Sequence, residues 1–319
     1  MHAMGTIVTA KDLEDHLRFI EGRAKTPREG VFGPQSMEWR INGEAAIFLG
    51  AGRALLLQLA HPLIAAALAD HSRVFADPLG RFHRTFQLVF TLVFGTVQQA
   101  FSASRQLHSR HASISGVLRE TLGPFPKGTP YRANDAETML WVHATLVETA
   151  LLAYELLLPP LNEQERETYY AESRVLAALY GIPADLLPRD WAAFAAYSAV
   201  MQNSNKLKVG VNAKNIADML VEQASYIPKW YWLLSGQLLP PRLRKAFGLE
   251  ADTAGLRIVD RAVNRLKRWY PLLPWRLRHV GPFQEAQARL LGRSNPDLPT
   301  QLFNVLWIGT RSLPVQCKP

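Results

Sequence analysis

A single cysteine, Cys317, excludes a disulfide framework, a zinc finger and iron–sulfur ligation, and fits a reducing, cytoplasmic compartment. Strand patterns are equally scarce. No run of alternating Val, Ile and Thr is bounded by Asn-Gly or Asp-Gly turns, so no substantial sheet is expected. The longest apolar stretch, Ala54 to Ala69, is interrupted by Gln58, His61 and Pro62 and makes a poor membrane span. No basic leader with an apolar core opens the chain, so a secretory signal is not expected, and Met4 offers a second start after Met1. Long polar linkers, fixed-period repeats and low-complexity tracts are missing. So are the HExxH and Glu-x-x-His metal motifs, the Walker A loop and GxSxG, while Gly50-Ala51-Gly52 is a lone GxG with no preceding strand. Nothing resembles an RNA-binding signature, and no nucleic-acid partner is expected.

What is present is helical. Apolar residues recur at spacings of three and four through a chain that is 48% hydrophobic and 20% charged. The pattern predicts an all-α protein with helices near 10–24, 43–59, 62–70, 78–95, 97–113, 135–157, 162–180, 190–205, 213–223, 241–247, 253–270 and 283–292. Their short Pro- or Gly-rich connections favour one multi-helix domain over 1–319.

Residues 50–85 carry the strongest local signals. Pro62 disfavours helical geometry at His61, so the helix should kink or stop there and leave backbone carbonyls needing partners. Asp77-Pro78 is a helix start, with the carboxylate as N-cap and proline at the first helical position. Beyond it Arg81, Arg84, Thr85, Leu88 and Leu92 share a face, putting two guanidiniums beside an apolar stripe. Such cations suit the carboxylates of a large flat cofactor, or else pair with helix carboxylates and C-termini.

The segment 135–157 is apolar almost all round, with Glu148 and Glu155 as its charges beyond the first turn and Asn134 and Glu137 as an expected capping pair. His143 lies in its middle. An imidazole there should be neutral and needs either a hydrogen-bonding partner or a metal, and spacing alone leaves both open. His108 and His111 could face one metal or mark a wet helix end. With the other chemistries weakened, a histidine-held haem remains attractive, since it needs one axial imidazole in an apolar slot and arginines for the propionates.

The net charge of +9 is uneven. Residues 229–279 hold eleven Lys or Arg against three Asp or Glu, with Trp230, Tyr231, Trp232, Trp269, Tyr270 and Trp275 in or beside the basic runs. Within it, 253–270 separates Leu256, Val259, Val263, Leu266 and Tyr270 from Arg257, Arg261, Arg265 and Arg268. A basic amphipathic helix of this kind either lies on an anionic membrane or is a solvated surface helix.

Taken in order, WRINGEAAIFLGAGRALLLQLAHPLIAAALADHS, DPLGRFHRT, HASISG and LWVHATLVETALLAYE resemble the family of bacterial rubber oxygenase (latex-clearing protein) and the MpaB oxygenase, over roughly residues 34–235. The resemblance implies a globin-like rubber oxygenase core, with 236–319 a basic helical extension packed on it. It further implies haem b with its iron, and O2-dependent oxygenation of an apolar, isoprenoid or lipid-like substrate. Carried over by position, His143 in LWVHA is the implied metal ligand. Arg81-x-x-Arg84-Thr85 matches the family's Arg-x-x-Lys-Thr motif, with Arg81 and Arg84 near the cofactor and Arg84 and Thr85 as catalytic candidates. The rubber-cleaving enzymes have lysine at the position of Arg84, and an arginine cannot lose its proton to bind iron as a lysine can. Leu88, Leu92, Leu140 and Leu146 are the expected apolar walls, and His61, His71 and His111 carry no assigned role. The alternative is a non-enzymatic haem- or lipid-binding helical protein at a membrane surface, touching it through 229–279.

Overall fold

The computed structural model of the protein describes residues 5–22, 26–72, 74–223 and 227–314, so the Met1 and Met4 starts and Cys317 lie outside the described residues. Sixteen α-helices and one small hairpin are present among them. The N-terminal half contains α1 (Ala10–Glu21), α2 (Met37–Asn42), a 3-10 turn (Ala45–Gly50), α3 (Ala51–Leu59), α4 (Pro62–His71), α5 (Pro78–Phe94) and α6 (Val97–Ala112). A hairpin of β1 (Ser115–Val117) and β2 (Pro130–Arg132) then leads into α7 (Ala136–Leu157), α8 (Glu163–Leu179), α9 (Trp191–Asn203) and α10 (Val211–Gln223). The remainder is α11 (Lys229–Gln237), α12 (Pro241–Phe247), α13 (Thr253–Trp269), α14 (Trp275–Arg278), α15 (Gly281–Leu290) and α16 (Leu298–Ile308). The all-α expectation therefore holds.

Helix α7 is the axis of the fold because its sequence leaves no polar face to turn outward. It packs on the 3-10 turn, α2, α3, α8, α9 and α13. Gly50 lets the 3-10 turn approach it closely, since a Cβ there would collide with Thr149 Cγ2. Arg53, buried on α3, reaches α7 by donating to Glu148 Oε2 at 2.9 Å and Thr149 Oγ1 at 2.6 Å, and it also donates to Leu238 O at 2.8 Å. The start of α7 differs from expectation. Asp135 caps it by accepting from Thr138 N at 2.8 Å, while Asn134 instead donates to Val8 O and ties down the N-terminal segment.

The break at His61-Pro62 bends the Ala45–Leu59 stretch against α4 by 100°. The freed carbonyl of Ala60 accepts from Lys208 N at 2.7 Å, a partner supplied from the loop after α9. Asp77 caps α5 from its expected place, accepting from Gly80 N at 2.9 Å. The hairpin is antiparallel, pairing Ser115 with Arg132 and Val117 with Pro130, and three-residue strands are too short to leave an alternation in the sequence. It covers a small apolar cluster of Ala66, Leu118, Phe125 and Tyr131.

The C-terminal third is fastened to the core. Buried Glu44 pairs with Arg278 and accepts from Tyr270 Oη at 2.8 Å, Val280 N bonds Gly43 O, and Trp307 stacks on Phe48 with ring centroids 3.9 Å apart.

Candidate functional site

His143 projects from the middle of α7 and is fully enclosed. Among the described residues neither ring nitrogen has a hydrogen-bond partner, and burial pushes the imidazole down to about 3, so it is neutral with a lone pair unspoken for. Buried polar groups are nearly always bonded, which makes two orphaned nitrogens on one ring a departure that asks for a ligand.

The side of α7 that carries His143 meets a second set of enclosed polar groups. The Tyr180 ring stands edge-on to the imidazole at 6.0 Å between centroids, and its hydroxyl is buried and unpartnered. Glu38, on α2, is wholly buried. Its Oε2 accepts from Asn42 Nδ2 at 2.6 Å and its Oε1 has no partner. Burial, reinforced by the neighbouring Glu172 carboxylate, raises Glu38 well above the usual carboxylate range. Tyr180 is raised by burial and then by Glu38, and Tyr169 Oη reaches Val147 O, one turn along α7 from His143, at 3.4 Å. No sequence signal pointed to this group, because Glu38 and Tyr180 meet only through the packing of α2 against α8.

Arg81, Arg84 and Thr85 share one stretch of α5 but not one environment. Arg81 is half-buried and donates to Ser72 Oγ at 3.2 Å and to Thr85 Oγ1, and among the described residues it has no carboxylate within ion-pair distance. Burial, then the nearby Arg110 and Arg84, lower its guanidinium to about 10. Across on α6, burial together with Arg110, Arg81 and His108 holds His111 down at about 4, with Nδ1 unpartnered. This corner is thus rich in cations, and among the described residues none of its carboxylates is paired with Arg81. Arg84 points outward and pairs with the capping Asp77 at 3.0 Å, the helix-carboxylate alternative that sequence left open. The Thr85 hydroxyl donates to Arg81 O at 2.9 Å. Among the described residues no hydrogen bond, ion pair or ring contact joins this triplet to His143.

The other histidines have ordinary tasks or face a different space. His71 Nε2 lies 3.0 Å from Ser115 O, and His108 Nε2 lies 3.1 Å from Val8 O. Among the described residues no three His, Cys, Asp or Glu side chains converge to hold a metal. His61 lines a half-open cavity of about 420 Å³ with Leu63, Phe125, Tyr197, Met201 and Lys206. Burial and Lys206 hold His61 at about 4. The cavity touches α7 at Leu140, one turn before His143. Of the expected walls, Leu92 and Leu140 are buried, whereas Leu88 and Leu146 are half-buried.

No curated protein and no solved structure matches the chain. Residues 39–270 match the family described as ER-bound oxygenase mpaB/B'/Rubber oxygenase, catalytic domain. That span is well over half of the sequence and takes in α5 and α7, with the enclosed His143 on the latter. The chain belongs to the MpaB and rubber oxygenase family, and its activity class is that of an oxygenase.

Proposed function

We propose that the protein is a haem b-dependent oxygenase that uses O2 on an apolar, isoprenoid or lipid-like substrate, with residues 1–319 acting as one helical domain. The observation that carries this reading is His143, a neutral imidazole enclosed in the core with both nitrogens unpartnered among the described residues. That is what holding an iron would require of a histidine: an available lone pair on one nitrogen and a second nitrogen free to be oriented by a neighbour. The cation-rich corner at Arg81 supports the same reading, because a half-buried guanidinium with no carboxylate partner among the described residues suits an acidic group brought in by a ligand.

When bound, haem b would supply the activation of O2 that no protein side chain provides. His143 would hold the iron through one ring nitrogen. Arg81 would bind the propionates, with Thr85 fixing the guanidinium through the hydrogen bond they already share. Arg84 would join by exchanging its exposed pairing with Asp77 for the ligand. Leu92 and Leu140 would exclude water and hold the apolar substrate against the reacting group.

The test is a visible spectrum of protein produced with haem supplied. A Soret band is expected for the natural chain and not for His143→Ala, and a natural chain lacking the band under those conditions overturns the proposal. The alternative, a non-enzymatic haem- or lipid-binding protein at a membrane surface, shares His143 and differs in consuming no O2. Turnover of O2 with an apolar alkene separates the two. Contact with a membrane is compatible with either, as is a cytoplasmic or peripheral location.

A further inference from the structure

The basic, aromatic segment 229–279 divides in two once folded. Its first half belongs to the interior. Trp232 is buried, and Tyr231 Oη accepts from Gly52 N at 2.9 Å and donates to Phe48 O at 3.0 Å, so these aromatics serve packing. The second half does the opposite. Trp269 (57% exposed), Leu272 (71%), Leu273, Trp275 and Leu277 stand out from a short turn between α13 and α15.

A second apolar surface adjoins it. Helix α16 buries Thr300, Asn304 and Ile308, yet turns Leu298, Leu302 (72% exposed), Val305 and Leu306 outward. These four follow a spacing of four, three and one, which is a single stripe along one helix face. The two surfaces are locked together. Arg276, between Trp275 and Leu277, pairs with Asp297, the N-cap of α16, at 2.6 Å and also donates to Thr300 Oγ1. Leucines that exposed, in such number and in one place, mark a docking surface rather than ordinary scatter.

Charge identifies what docks. Arg265, Lys267 and Arg268 lie at the end of α13 that runs into the turn, with Arg257 and Arg261 further along the same helix. All five are exposed, and none is ion-paired among the described residues. The Arg268 guanidinium sits over the Trp269 ring at 5.5 Å. A second copy of the chain packed symmetrically on this face would bring like charges together. An anionic bilayer instead accepts all three components, with leucines in the acyl region, indoles at the interface and guanidiniums among the headgroups.

We propose that the face formed by Trp269–Leu277 and the outer stripe of α16, bordered by the cations of α13, docks on an anionic lipid bilayer. The proposal needs neither iron nor haem, so it stands or falls apart from the oxygenase reading.

The test is co-sedimentation of the full chain with vesicles of phosphatidylcholine alone or mixed with phosphatidylglycerol. Binding is expected to the mixed vesicles, to weaken with salt, and to be much poorer on phosphatidylcholine. Leu302→Asp and Leu306→Asp should each lower partitioning about tenfold, the factor for losing roughly one leucine's burial. Arg265→Glu with Arg268→Glu should reduce binding to the level seen on phosphatidylcholine. All four sites are exposed, and circular dichroism verifies that the variants fold. If a variant fails to fold, quenching of tryptophan emission by acyl-brominated lipid replaces it, with Trp269→Phe and Trp275→Phe expected to diminish the signal. The proposal is overturned if the chain sediments with neither vesicle, if the variants bind like the natural chain, or if the chain forms a dimer that Leu302→Asp abolishes while vesicles capture nothing.

Discussion

Replacing His143 by leucine in haem-free protein should stabilise the fold, and more so in acid. Leucine is close to histidine in size and leaves no polar atom in the slot. The natural ring encloses two unpartnered nitrogens, and each buried unsatisfied polar atom costs about 1–3 kcal/mol. Allowing for imperfect repacking of the substitute, a gain of about 1–2 kcal/mol is expected at neutral pH. Acid adds to it. The native imidazole is depressed to about 3 by burial, whereas the unfolded chain takes up its proton at about 6.5. Between those values the unfolded state binds a proton that the native state refuses, so the natural protein loses stability as pH falls through 6.5, at about 1.4 kcal/mol per unit. At pH 5 that amounts to about 2 kcal/mol, a loss that leucine does not suffer. Urea unfolding of both proteins at neutral pH and at pH 5 measures the difference, with matching denaturant slopes confirming a common unfolded state. A variant less stable at both pH values, with a gap that acidity does not widen, would refute the reasoning: the nitrogens would then be satisfied and not awaiting a ligand. With haem bound the order should invert, because binding favours only the natural protein.

Arg81 and Arg84 should behave differently despite sharing a motif. Arg81→Leu is expected to weaken haem uptake in a spectral titration about tenfold or more while barely changing haem-free stability, whereas Arg84→Gln, which breaks only an exposed pair, should shift stability by less than about 1 kcal/mol. Asp77→Ala removes the cap of α5 and the partner of Arg84 together, and should cost about 1–2 kcal/mol by denaturant unfolding. Arg53→Ala should be the most damaging, at about 3–5 kcal/mol, since it strands the buried ends of Thr149 Oγ1 and Leu238 O and unpairs Glu148.

Local chemistry was legible in the sequence where one residue decides the outcome. Pro62 forced the bend, Asp77 with Pro78 fixed the start of α5, and the charge-poor run around His143 announced a central helix. Competition between neighbours was harder to foresee: Asn134 and Asp135 are both good caps, and the need to hold Val8 assigned the role to Asp135. Helix α16 was missed although Asp297 and Pro299 mark its start, because apolar residues on both of its sides blur the periodicity that identifies a surface helix. Within the candidate site, the enclosure of His143 follows from its own helix. The proximity of Glu38 and Tyr180 does not, since they are separated by over a hundred residues and joined only by tertiary packing. Arg81 and Arg84, three residues apart, differ in burial because a helix turns them to different neighbours, which spacing alone resolves poorly.

The tether between Glu44 and Arg278 has a consequence for how the molecule can be dissected. The family resemblance stops at residue 270, before Arg278, Val280 and Trp307. A chain cut at that border would keep the Glu44 carboxylate walled in while removing its cation, and would bare the Phe48 ring to water. The limit of recognisable ancestry is therefore not a hinge or a seam, and the shortest piece able to fold should run through α16.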